Sequence, residues 1–140
     1  MPQPTEISHP VPDAARPKAF RRVIVESPYA GDVETHVAYA RAALRDCLAR
    51  GEAPIASHLL YTQPGVLDDD VPEERLWGIE AGLAWSNVAE ATVVYEDFGV
   101  SRGMQYGIER ASREGRSIEF RVIPEFMAQR SPRRSHRPDS

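Results

Sequence analysis

Four short apolar runs, at residues 22–26, 53–58, 91–96 and 117–123, alternate with segments whose apolar side chains recur at helical spacing. No other feature restricts the fold as strongly. RVIVE and ATVVYE are rich in β-branched residues, which suit strands covered on both faces. After the first run, Val37, Ala40, Leu44, Cys47 and Leu48 form one helical stripe, and Gly51 stops it. The run APIASH is a short strand with a proline near its start and His58 at its end. Pro72 suits a first helical position, with Glu73 and Glu74 in the first turn and Leu76, Ile79 and Leu83 as the inner face. A further helix starts at Ser101 or Gly103, buries Met104, Ile108 and Ala111, and ends at Gly115. Strands joined through helices predict βαβ units and a parallel sheet. The expected fold class is α/β, a single-domain three-layer sandwich with a mostly parallel sheet of about four or five strands.

The 140 residues suffice for one domain with one modest core. Residues 1–18 are proline-rich and read as a disordered arm; residues 19–127 form the α/β domain; residues 128–140 read as a disordered basic tail. A net charge of −4 disfavours wholesale nucleic-acid binding. The single cysteine, Cys47, excludes an internal disulfide and reads as a buried thiol on a helix. No Cys or His spacing calls for a metal. Asp68, Asp69 and Asp70 are consecutive, cannot all face one ion, and read as a solvated loop. No apolar run approaches the ~20 residues of a membrane span, and the N-terminus lacks the order of a signal peptide, so the cytoplasm is the expected location.

In open parallel sheets, ligands bind beyond the carboxyl ends of the strands. Three loops meet there: residues 27–32, 58–61 and 97–103. The last carries only G-x-x-x-G, which is not a dinucleotide fingerprint. What remains is Ser101 and free backbone N–H groups at a helix start, a pattern shared by an N-cap and by an anion ligand. Asp97, at a strand end, reads either as an acceptor for a sugar hydroxyl or as a turn aspartate. His58 faces the same edge, and Tyr29 could stack on a base or close a lid. Trp77 and Trp85, eight residues apart, read as core or interface residues.

VIVESPYAGD, APIASH and SRGMQYGIERA, in that order, resemble the nucleoside 2-deoxyribosyltransferase superfamily, which includes nucleotide N-glycoside hydrolases. The likeness is closest to a branch common in bacteria and their phages, and it covers residues 23–121. It implies a compact Rossmann-like sandwich that assembles as dimers or larger oligomers. It also implies cleavage or exchange at the N-glycosidic bond of a nucleoside or nucleoside monophosphate, with carboxylates and no cofactor or metal. By position, the loop of Ser27, Pro28, Tyr29 and Gly31 lines the nucleotide site. Ser101, Gly103 and Met104 match the Ser-x-Gly-apolar element whose serine holds a 5′-phosphate. Asp97 matches a carboxylate before the catalytic helix. The family glutamate, six residues after that serine, is replaced by Gly107. Glu109, two residues on, is turned by about 200° from it. Glu26 and Glu80 are the other candidate substitutes. The resemblance thus supports either an N-glycosidase or transferase using Glu80, Glu109 or Asp97, or a binder of a nucleotide-derived signal without turnover. A structural oligomer with Trp77 and Trp85 in its interface is a further alternative.

Overall fold

A computed structural model describes residues 19–127, so the expected arm and tail lie outside the described residues. The chain runs through β1 (Arg21–Glu26), α1 (Val33–Ala49), β2 (Glu52–Ile55), α2 (Ser57–Leu60) and α3 (Pro72–Ala84). A 3₁₀ turn at Trp85–Val88 leads to β3 (Ala91–Tyr95), α4 (Arg102–Arg113), β4 (Ser117–Arg121) and α5 (Pro124–Met127). The strands form one four-stranded sheet in the order β2-β1-β3-β4, and every pairing is parallel. This is the expected α/β class.

Side-chain alternation divides the sheet into two faces. Val23, Val25, Val93 and Tyr95 pack with Tyr39, Ala43 and Cys47 of α1 in the main core. Ile24 and Glu26, the intervening residues of β1, face the opposite side, where α4 brings Gly107 against Glu26. The buried stripe of α1 is Tyr39, Ala40, Ala43 and Cys47, and Leu48 is exposed. The expected stripe was therefore displaced toward Tyr39, whose hydroxyl has a buried partner. In α3, Leu83 is buried, whereas Leu76 is 52% exposed, so that helix does not turn Leu76 inward. His58 sits in α2 and not at a strand end, because β2 closes at Ile55. Gly51 and Gly115, at φ 80° and 70°, end α1 and α4 in the left-handed region that favours glycine.

A polar brace crosses the α1 side of the sheet. Arg121 donates to Glu52 at 2.7 and 2.8 Å, to Glu119 at 2.8 Å and to the Tyr95 hydroxyl at 3.1 Å. Arg21 closes the ring onto Glu119 at 2.6 Å and Glu52 at 3.2 Å. Burial would raise the Glu52 carboxyl, but the hydrogen bonds from Arg121 outweigh it and hold the group below its usual range. Arg21 and then Arg121 pull Glu119 down to about 2.

β2 and β3 lie on opposite sides of β1, so the chain leaves β1 in one direction and later crosses back over it. The carboxyl ends of β1 and β3 flank the place where those connections diverge. That crevice is where open parallel sheets hold ligands.

Candidate functional site

A cavity of about 120 Å³ opens in this crevice. Its floor comes from Ile24, Glu26 and Ser27 at the end of β1, and from Ile55 of β2. Tyr29 and Ala30 of the following loop, Ser57 and His58 of α2, and Ser101, Gly103, Met104 and Gly107 at the start of α4 form the walls. Asp69 and Arg75 stand at one side, 3.9 Å apart, with Ile79 and Leu83 of α3 behind them. The space is below the ~300–1,000 Å³ of common small-molecule sites and suits a sugar-sized group. A wider groove of about 460 Å³ shares Tyr29, Ala30 and Asp69 with it and offers room for the rest of a larger ligand.

Glu26 dominates the chemistry. Period-two alternation points it at α4, and Gly107 is what admits it. A Cβ built at Gly107 would collide with the Glu26 carboxyl, with Oε1 at 2.9 Å and Cδ and Oε2 closer still. None of the hydrogen bonds or ion pairs among the described residues reaches this carboxyl, which borders the cavity. Desolvation pushes it up to about 8; the charge of Arg116 opposes that rise without cancelling it. Arg116 itself bonds Thr92 at 3.0 Å and the Ser86 carbonyl at 3.2 Å, and its Nη2 is buried without a partner. At neutral pH Glu26 therefore carries a proton.

His58 Nε2 and Ser27 Oγ share a hydrogen bond of 2.8 Å beside that carboxyl. Burial, and then the nearby charge of His36, depress the His58 ring to about 4, so it is neutral at pH 7. Tyr29 meets His58 edge-on at 6.1 Å, and the Tyr29 carbonyl is 3.1 Å from His36 Nδ1. Across the cavity, Ser101 caps α4: its hydroxyl accepts from the Met104 N–H at 3.3 Å. Hence the capping role is filled, and the helix start still faces the cavity.

The structure thus brings Ser27, Tyr29, His58, Ser101, Gly103 and Met104 to one cavity, as the sequence suggested. Gly31 lines the adjoining groove instead, at φ 93°, and Pro28 is buried away from both. The three proposed catalytic carboxylates are elsewhere. Asp97 is buried in the α1 layer, where it accepts from the Tyr39 hydroxyl at 2.5 Å and the Ile123 N–H at 2.9 Å. Its position after β3 was read correctly, but its side chain points to the wrong face. Glu80 lies outside the cavity, bonded to Arg110 at 2.9 Å and to Tyr106. Glu109 is exposed on the outer face of α4, as the 200° turn requires, and pairs with Gln105 at 3.3 Å. Sequence reasoning missed Asp69, because the acidic run was read as solvated loop, and Arg75 of α3, which belongs to no motif. Trp77 and Trp85 are 67% and 50% exposed and do not belong to the core.

A family model, described as a domain of unknown function (DUF7768), matches residues 21–121. The chain belongs to the DUF7768 family. The matched span of this DUF7768 domain runs from the first residue of β1 to the last of β4, so it includes every element that builds the cavity. No curated protein and no solved structure matches the chain. Among the described residues, no helix is long and apolar enough to cross a membrane, and no three His, Cys, Asp or Glu side chains group as metal ligands.

Proposed function

We propose that this DUF7768 protein binds a nucleoside or nucleoside monophosphate in the crevice at the carboxyl end of β1, between β2 and the start of α4, and acts on its N-glycosidic bond. The reading is supported by one observation above all: a carboxyl group, Glu26, occupies the space beside Gly107, where the resembling enzymes carry their glutamate. The sugar occupies the deep cavity, within reach of Glu26 and of the Ser27–His58 pair. The base extends past Tyr29 into the wider groove. A 5′-phosphate, where present, meets the start of α4 at Ser101, where the N–H groups and the helix dipole favour an anion. Cleavage of a C–N bond in this way builds positive charge on the sugar carbon, which carboxyl groups can answer. The free, buried thiol of Cys47 suits the cytoplasm, where we place the protein.

The test is incubation with a panel of nucleosides and nucleoside monophosphates, with free base followed by chromatography. Base release from at least one member is expected. Thermal stabilisation by a panel member without base release would instead identify a non-catalytic binder; at a ligand concentration of 100 Kd, that stabilisation is about 2.7 kcal/mol. Ser101→Ala is expected to weaken monophosphates more than nucleosides. Neither release nor stabilisation by any member contradicts the reading.

A further inference from the structure

We propose that Glu26 is the proton donor to the departing base, working from a seat that Gly107 leaves empty, and is not the nucleophile. This inference rests on the nucleoside reading above and specifies the chemistry of its site.

A nucleophilic carboxylate must be ionised, and an ionised carboxylate needs donors. Glu26 has none: no hydrogen bond or ion pair among the described residues reaches it, and apolar Ile24, Met104 and Ile79 share its cavity. A half-buried charge with no donor or counter-ion bonded to it is costly, so the neutral acid is the favoured form. The groups that face it from each packed element are consistent with that state. His58 of α2 is neutral. Asp69 and Arg75 are opposed to each other at the cavity wall. α4 presents no charged side chain there, only Gly103, Met104 and Gly107, with Ser101 as its cap. Arg116, before β4, is the cation whose field reaches Glu26, and it already serves Thr92, Ser86 and Glu114.

The step balances with water as co-reactant. The Glu26 carboxyl gives its proton to a ring nitrogen of the base. The bond between the anomeric carbon and the base breaks, and its electron pair leaves with the base. A water oxygen adds to the anomeric carbon, and the proton it loses returns to the Glu26 carboxylate. Water is consumed; free sugar and free base are released.

Two substrates separate an acid from a nucleophile. One is the nucleoside with the fastest base release; the other is p-nitrophenyl riboside, whose phenolate leaves without protonation. Glu26→Gln keeps the shape of the side chain and removes the proton. It is expected to slow base release by about 10²–10⁴-fold and to leave nitrophenol release within a few-fold of the parent. For the parent, kcat/KM for the nucleoside should fall above about pH 8, and that for the riboside should not. Gly107→Ala, which pushes the carboxyl out of its seat, should behave like Glu26→Gln while melting cooperatively. Equal loss on both substrates makes Glu26 the nucleophile and overturns the proposal. Base release that survives Glu26→Gln also overturns it, leaving the parent reading intact. Stabilisation without base release from any nucleoside or monophosphate removes this proposal and leaves a binder; neither release nor stabilisation by any of them removes both.

Discussion

Glu26 and Gly107 form a matched pair, a long acid and an absent side chain. Their effect on stability can be separated from any effect on turnover. The folded protein holds the Glu26 proton up to about pH 8, whereas an unfolded glutamate releases it near 4.5. Stability from this group is full below pH 4.5 and is lost as pH rises to 8. His58 has the opposite sign. Its folded value of about 4, against 6.5, lets stability fall as pH drops below 6.5. The two oppose each other between 4.5 and 6.5, and only Glu26 acts between 6.5 and 8. Chemical denaturation is therefore expected to show a decline of ~1–2 kcal/mol across that upper window. The decline should vanish in Glu26→Gln; a decline of the same size in that variant would remove Glu26 as its source. The pair was half legible in the sequence. Glu26, at the end of RVIVE, was named as a possible substitute carboxylate, and the spacing from Ser101 singled out Gly107. The rotation of α4 that joins them was not readable, since it depends on which helical stripe the sheet accepts.

Among the elements, β2 and β4 are opposite edges of the sheet, and Arg121 ties them together through Glu52. Both side chains are almost wholly buried. Arg121→Met would strand the Glu52 charge with only the partly exposed Arg21 beside it, at a cost of about 3–5 kcal/mol in urea unfolding. Arg121→Met with Glu52→Met is expected to recover most of that loss, because an apolar pair carries no desolvation cost. A double variant no better than the single one would contradict this. The strands and α1, α3 and α4 were recoverable from periodicity and glycine stops. The short helices α2 and α5 were not, because each is a single turn with too few residues to show a period. For the same reason His58 was assigned to a strand end, although the edge of the sheet it faces was read correctly. Asp97 was misassigned for another reason: its sequence position is shared by a site residue and a core anchor, and only the Tyr39 hydroxyl decides between them.

For the whole molecule, the parallel order β2-β1-β3-β4 sets where a ligand can sit, and the described cavity lies there. The same order leaves Leu76, Trp77 and Trp85 outside the core, with exposures of 52%, 67% and 50%. We expect a second copy to cover them. Sedimentation should give twice the 15.6 kDa chain mass, and Trp77→Glu with Trp85→Glu should return the single chain. A single-chain mass for the parent would show that the exposed tryptophans do not pair copies. A crystal structure of Glu26→Gln grown with a nucleoside tests the role of the crevice most directly. The sugar is expected in the cavity between residue 26, His58 and the start of α4, with the base beside Tyr29. A nucleoside bound anywhere else on the protein, with that cavity filled only by water, would contradict it.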